Sequence, residues 1–128
     1  MLHYNKIIGL TAAVILVLTG CYKDKTVSVD APVVTKTVSF SQDLVPLFSK
    51  SCAFSGCHST GGQAPNLLAA NAYNALIIGN YITKTSPASS IIYLKLTGKK
   101  GTPMPVTGVN PDYAALVLAW IKQGGNNN

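Results

Sequence analysis

Two cysteines and a histidine stand close together in the middle of the chain, and they constrain its fold more than any other feature. They occur in the run Cys52-Ala53-Phe54-Ser55-Gly56-Cys57-His58. The 128 residues contain one further cysteine, Cys21, and one further histidine, His3. Cysteines at a short spacing beside a histidine indicate a disulfide, a metal site or a covalently attached group. The domain must therefore hold this run in a defined geometry.

The amino-terminal segment predicts export. Residues 1–20 have a polar start that carries Lys6, an apolar run over residues 7–18, and small residues before Cys21. A dozen apolar residues suit a signal peptide, whereas a retained membrane helix, the alternative, takes roughly 20. The end of the run resembles a bacterial lipobox, which implies cleavage before Cys21 and lipidation of its thiol. We therefore expect a lipid-anchored protein of the bacterial cell envelope that faces the periplasm or the exterior, with ordinary secretion as the alternative.

The charge composition excludes several functional classes. The chain has ten lysines, no arginine and four acidic residues, for a formal net charge of +6. Without arginine there is no bidentate side chain to grip phosphate or guanine, so we expect no nucleic-acid partner. The length excludes a TIM barrel, and no glycine-rich phosphate-binding string occurs that would indicate a nucleotide enzyme.

Composition divides the remaining chain into a linker and one small domain. We predict that residues 21–38 form a lipidated tether, because this stretch is mixed in charge and interrupted by Pro32. A short edge strand within it is the alternative. The domain is predicted over residues 39–125, followed by a disordered tail over residues 126–128.

Four helical patterns, and no strong strand pattern, predict an all-α domain. The first pattern spaces four apolar residues at helical intervals, namely Phe40, Leu44, Leu47 and Phe48. Ser41 or Asp43 can cap its first turn, and Pro46 is tolerated only near that start. The second pattern covers about residues 71–78 and stops at Gly79.

The third and fourth patterns lie in the second half of the domain. The third predicts a buried helix over about residues 87–96, capped by Ser86. The fourth is the clearest, because Asn110 can cap it, Pro111 suits its first position and Gly124 ends it. Its apolar stripe comprises Tyr113, Leu116, Val117, Trp120 and Ile121. Four helices this short bury little apolar area, so the domain needs a further source of stability.

The cysteine–histidine run suits covalent attachment of haem. Two thiols can form thioethers with the haem vinyl groups, and His58 beside the second thiol can bring its imidazole to the iron. The usual spacing is C-x-x-C-H, whereas four residues separate Cys52 from Cys57, so two extra residues must bulge. Gly56 suits such a bulge because glycine adopts a positive φ. A disulfide between the two cysteines is the main alternative, and a zinc site is a weaker one because few other ligands remain.

Two remote features favour haem. Met104 is the only methionine that remains after residues 1–20 are removed, and it lies in the run Gly-Thr-Pro-Met-Pro. A thioether is a suitable sixth ligand for haem iron, and simple packing is the alternative role for this side chain. Pro65 follows His58 by seven residues, and its carbonyl can accept a hydrogen bond from the His58 Nδ1 and orient the ring.

The order of these features resembles small monohaem class I cytochromes c in their membrane-anchored lipoprotein form. The resemblance covers about residues 40–125: a helix, the Cys-Cys-His run, Ala-Pro-Asn-Leu, short helices, a Met-Pro loop and a Trp-containing helix. It implies a cytochrome c-like fold around one covalent haem c. It implies His58 and Met104 as the axial ligands and Pro65 as the hydrogen-bond acceptor. It also implies that the first and last helices pack through aromatic residues, drawn from Phe40, Phe48, Tyr113 and Trp120. The four-residue spacer departs from the usual pattern of the family.

With both axial positions filled, we expect a one-electron carrier between redox partners rather than an enzyme. A small haem peroxidase needs an open distal position with an acid–base group, and the processed chain has one histidine and no arginine. Lys95, Lys99 and Lys100 precede Met104 and can steer an acidic redox partner, with a solvated turn as the alternative. A haem-free, disulfide-stapled binding lipoprotein is the other functional alternative.

Overall fold

The computed structural model describes residues 32–128. Residues 1–31, which include the expected signal peptide and the lipid site at Cys21, lie outside the described residues. Within residues 32–128 all regular secondary structure is helical and there is no strand, so the prediction of an all-α domain is confirmed. None of the helices in this part of the chain is long and apolar enough to cross a membrane.

Within residues 32–128 there are four α-helices and two further helical turns. In chain order they are a π-helical turn at Phe40–Leu44, α1 at Val45–Ser51, α2 at Ala72–Ile78, a 3₁₀ turn at Pro87–Ser89, α3 at Ile91–Leu96 and α4 at Pro111–Lys122. Two long irregular segments separate them. The cysteine loop, residues 52–71, joins α1 to α2, and the methionine loop, residues 97–110, joins α3 to α4. Every predicted haem-site residue lies in one of these two loops.

The π-helical turn and α1 are continuous and form the first helix, which begins at Phe40. Its N-cap lies two residues before Ser41, one of its two predicted caps. Ser39 is the N-cap, and its Oγ accepts a hydrogen bond from the Gln42 N–H at 3.2 Å. The Asp43 carboxylate accepts the Ser39 N–H at 2.9 Å, so Asp43 supports the cap from inside the turn. The prediction of Ser41 as cap is wrong, because Ser39 is the residue with extended backbone at this end.

The predicted third helix is divided in two. Ser86 makes no side-chain cap; its Oγ pairs instead with the Ser89 Oγ at 2.9 Å. Ser90 has extended backbone and a fully buried side chain whose Oγ accepts the Thr83 N–H at 2.9 Å. This tertiary contact interrupts the helix before α3. The prediction of a buried helix is also wrong for most of α3, since Leu96 is its only buried residue.

α2 and α4 match the sequence patterns closely. The bounds of α2 differ by one residue from the prediction, and Gly79 is its C-cap. The side chain of Asn110 accepts hydrogen bonds from the Asp112 and Tyr113 N–H groups at the start of α4. Gly124, just past its end, has a φ of 107°. Both helices depend on local signals that the sequence displays directly.

An aromatic cluster joins the first helix to the last. The ring of Phe40 lies 5.1 Å from that of Trp120, 5.3 Å from that of Tyr73 and 6.1 Å from that of Phe48, measured between centroids. Phe40, Phe48 and Trp120 are fully buried. The expected packing of the first and last helices through aromatic residues is therefore present.

The domain begins before residue 39, where the predicted tether ends. Val38 is buried, and its N–H donates to the Gln123 Oε1 at 2.8 Å. The Gln123 Nε2 donates in turn to the Lys36 carbonyl at 3.0 Å. Val34 also packs against the core. The predicted end of the tether at residue 38 is therefore corrected. The side chain of Gln123, just after α4, forms hydrogen bonds with residues 36 and 38, which belong to the domain.

The tail at residues 126–128 is ordered, and the prediction of disorder is wrong. The Asn128 Oδ1 accepts the Phe40 N–H at 2.9 Å, and the Asn128 carbonyl accepts the Ser41 N–H at 2.8 Å. The Asn126 carbonyl accepts the Trp120 indole N–H at 2.8 Å. The first N–H groups of a helix have no intrahelical acceptor, and the tail supplies acceptors for them.

Candidate functional site

The cysteine loop starts with a compact turn that closes the four-residue spacer. The Cys57 N–H donates to the Phe54 carbonyl at 2.9 Å, and Gly56 between them has a φ of 78°. The His58 N–H donates to the Cys52 carbonyl at 3.2 Å. The four-residue spacer therefore forms a turn, which brings the backbone of His58 back to that of Cys52.

Cys52 and Cys57 are both free thiols, and no disulfide joins them. Cys57 is exposed, whereas Cys52 is partly buried. Burial raises the pKa of Cys52 to about 11, and the neighbouring Cys57 adds to the rise. Cys52 therefore keeps its proton at neutral pH.

Two backbone carbonyls hold the His58 ring. Its Nδ1 lies 3.0 Å from the Pro65 oxygen and 3.2 Å from the Gln63 oxygen. A carbonyl oxygen only accepts hydrogen bonds, so Nδ1 carries a proton, and the lone pair of the neutral tautomer lies on Nε2. That arrangement is typical of a histidine that ligates a metal through Nε2. The Pro65 contact is the one that the sequence predicts.

The sequence analysis missed Gly62 and Gln63, which complete the loop. The Gln63 N–H donates to the Cys57 carbonyl at 2.6 Å, which folds the chain back over the turn. A Cβ at Gly62 would lie 2.2 Å from that same carbonyl oxygen. The glycine pair at positions 61 and 62 was the available signal, but nothing in the spacing indicated which atoms it brings together.

Met104 lies in the second loop, apart from the cysteines. Its N–H donates to the Lys95 carbonyl at 2.9 Å, which fastens the methionine loop to the end of α3. The residue is partly buried. The structure thus gathers Cys52, Cys57, His58 and Pro65 into one loop, while the hydrogen bond of Met104 runs to α3.

Large apolar side chains are exposed in both loops. Phe54, between the two cysteines, is 51% exposed. Val106 and Val109, which follow Met104, are 73% and 50% exposed. Residues 91–94 of α3 are also partly exposed. Val33 and Ile78, outside the two loops, are also exposed. Large exposed apolar side chains in a loop are available for contact with an apolar ligand.

The charge around these loops is of one sign. Residues 44–111 contain no aspartate or glutamate and include five lysines, namely Lys50, Lys84, Lys95, Lys99 and Lys100. Lys99 and Lys100 are exposed, and Lys95 is partly exposed. Over the described residues, the ion pair is that of Lys36 with Asp43, outside this stretch.

Other sites gain little support. A surface groove of about 460 Å³, lined by Leu47, Tyr113 and Leu116 among others, includes none of the predicted site residues. In residues 32–128 there is no group of three histidine, cysteine or acidic side chains that could hold a metal ion. The zinc alternative therefore has no support in the described part of the chain.

Comparisons of the chain with models of protein families, with curated proteins and with solved structures find no match. The residues themselves fit a covalent haem. Two free thiols are present in the cysteine loop, and His58, whose Nδ1 carries a proton, directly follows the second of them in the sequence. Exposed apolar side chains in both loops offer contacts for a large apolar group.

Proposed function

We propose that the protein is a one-electron carrier with a single haem c joined by thioethers to Cys52 and Cys57. In this proposal His58 and Met104 would bind the haem iron, within a cytochrome c-like fold. The observation that carries the proposal is the geometry of His58, whose Nδ1 donates to backbone carbonyls directly beside two free thiols. Bound haem supplies a centre that gains and loses one electron without making or breaking bonds in a substrate.

The residues of the cysteine loop have separate tasks. Cys52 and Cys57 provide the covalent bonds, and the turn at Gly56 adapts the longer spacer to them. Pro65 keeps the His58 proton on Nδ1, so that the Nε2 lone pair is available to iron. A thioether from Met104 leaves no vacant position for oxygen or peroxide, which is why we propose no enzymatic activity.

The apolar side chains serve to keep water away from the redox centre. Phe54, Val106 and Val109 are exposed in the described chain, and a covalent haem would give them an apolar partner. Burial of such surface is favourable by about 25 cal/mol per Å². The haem is therefore also the staple that four short helices require.

The proposed partners are redox proteins with an acidic docking surface. Lys95, Lys99 and Lys100 lie at the end of α3 and the start of the methionine loop, and no acidic residue between positions 44 and 111 opposes them. Long-range attraction between unlike charges raises association rates and weakens with salt. A lipid at Cys21 would hold the carrier at the cell envelope, in reach of membrane-bound partners.

A mass and a visible spectrum of the full chain test the proposal. After expression in a host that attaches c-type haem, we expect the mass of the processed polypeptide plus one haem plus acyl chains. We expect sharp bands on reduction. The double substitution Cys52→Ser, Cys57→Ser is the control and should lose the covalent haem. A colourless chain that weighs only its amino acids and acyl chains, less two hydrogens, would refute the proposal and favour the disulfide-stapled binding lipoprotein.

A further inference from the structure

The His58 ring has one more hydrogen-bond acceptor than the Pro65 carbonyl alone. Nδ1 carries a single proton, and two carbonyl oxygens lie within hydrogen-bond distance of it, Pro65 at 3.0 Å and Gln63 at 3.2 Å. Shared hydrogen bonds of this kind surround the N–H with negative potential from both sides. Pro65 is explained by the proposed function, whereas the contact of Gln63 is not.

The Gln63 carbonyl reaches the ring because the chain folds back tightly at Gly62. The Gly62 N–H donates to the Ser59 carbonyl at 3.0 Å, and the Gln63 N–H donates to the Cys57 carbonyl at 2.6 Å. A Cβ at position 62 would lie 2.2 Å from the Cys57 oxygen and 3.1 Å from the Cys57 carbonyl carbon. Both are backbone atoms, so no side-chain rearrangement can make room. Glycine is required here for close approach between two segments of backbone.

We propose that Gly62 is a positioning residue, which places the Gln63 carbonyl as a second acceptor for the His58 Nδ1 and thereby strengthens Nε2 as a donor to iron. The part that concerns iron rests on the proposed function. Negative potential at Nδ1–H increases the electron density of the imidazole. A stronger donor stabilises the more highly charged, oxidised iron, so the second acceptor lowers the reduction potential.

The substitution Gly62→Ala tests this role, with two matched controls. Ser59→Ala, in the same loop, removes a hydroxyl group but keeps the backbone carbonyl that accepts the Gly62 N–H. Gln63→Ala removes the side chain but keeps the backbone N–H and carbonyl. We expect the reduction potential to rise in Gly62→Ala and to stay near the wild-type value in both controls. A potential unchanged in Gly62→Ala would overturn the proposal.

A second readout does not depend on haem. On the full chain as isolated, with ¹⁵N-labelled histidine, we expect the His58 Nδ1 proton to exchange with solvent several-fold faster in Gly62→Ala than in wild type. If the chain carries no haem but this difference appears, the positioning role stands and the proposed function fails. If haem is present and the exchange rates are equal, the positioning role fails alone. Should Gly62→Ala not fold, Gln63→Pro, which keeps the carbonyl and removes the N–H that donates to Cys57, should shift both readouts in the same direction, and no shift would overturn the proposal.

Discussion

The side chains of the candidate site differ in their hydrogen bonds, their burial and the pKa values that follow from burial. His58 is oriented by two carbonyls, whereas Met104 offers a sulfur atom in a loop that its backbone fastens to Lys95. Burial raises the pKa of Cys52 to about 11, while Cys57 is exposed. The residues of the candidate site thus differ in their hydrogen bonds and in their burial, and each can be tested by a separate substitution.

Replacing Met104 with alanine tests whether its sulfur binds the haem iron, as proposed. The variant Met104→Ala should keep its covalent haem, because the thioethers involve other residues, but should open the sixth position and lower the reduction potential. We expect the weak absorption from the Met–iron bond to disappear. Val106→Ala, in the same loop and at an exposed position, is the control and should retain that band. An unaltered spectrum in Met104→Ala would show that its sulfur does not bind the iron.

Asp43 makes the free energy of unfolding depend on pH in the acidic range. Its pKa lies below the usual value of 3.8, chiefly because the Lys36 ammonium and the Ser39 N–H bind its carboxylate. A folded-state pKa below that of the unfolded chain stabilises the fold above about pH 4 and ceases to do so as the pH falls through the lowered pKa. Wild type and Asp43→Asn should therefore differ in free energy of unfolding at neutral pH and converge in strong acid.

Denaturant unfolding at a series of pH values measures this effect. Lys36→Gln, which keeps the hydrogen bond from Ser39, should show a smaller dependence of the same sign. A gap between wild type and Asp43→Asn that persists at pH 2 would contradict the assignment.

At the scale of elements, the two ends of the domain stabilise each other. Gln123 pairs with the segment before the first helix, and Asn128 pairs with the first turn of that helix. The aromatic contact of Phe40 with Trp120 lies between the same elements. The first helix and α4 therefore depend on each other for their end hydrogen bonds as well as for their core.

Asn128→Ala should destabilise the domain. The substitution removes the acceptor of the Phe40 N–H and leaves a helix-terminal donor without its partner, a loss comparable to that of an N-cap, about 0.5–2 kcal/mol. Chemical denaturation measures the change in unfolding free energy. Asn127→Ala, whose side chain is exposed, is the control and should be close to neutral. Equal stability of the two variants would mean that the Asn128 side chain contributes nothing to the stability of the fold.

For the whole molecule, the distribution of charge is as informative as its sum. The acid-free stretch over residues 44–111 contains both loops of the site. The acidic residues Asp43 and Asp112 flank this stretch in sequence, and the former is paired with Lys36. Lys95, Lys99 and Lys100 all lie in this stretch, so the proposed steering of a redox partner depends on the charge of this region rather than on the net charge.

Replacing Lys95, Lys99 and Lys100 by glutamine distinguishes an effect of the local charge in this region from an effect of the net charge. At low salt the triple variant should oxidise more slowly with anionic ferricyanide, and the difference should shrink as salt is added. A second triple variant, with glutamine at Lys36, Lys84 and Lys122, has the same net charge and should be affected less. Stopped-flow rates that are equal in the two variants would remove the steering role.

The contrast between prediction and structure follows the range of the interactions involved. The sequence by itself determined the all-α class, the caps of α4, the stop of α2 and the turn at Gly56, because each depends on neighbours within a few residues. It also predicted the contact between His58 and Pro65, seven residues apart. The interruption at Ser90, by contrast, depends on how the Thr83 segment packs beside α3.

Only the tertiary structure decided the remaining features. They are contacts between residues far apart in the sequence, or contacts of backbone atoms, which are the same in every residue. Asn128 meets Phe40 across 88 positions, and Gln123 meets Val38 across 85, so neither pairing leaves a local pattern. The acceptor at Gln63 is a backbone carbonyl, which no side-chain signature can reveal. Its position beside His58 depends on the close approach of two segments of backbone. That approach arises only when the chain folds.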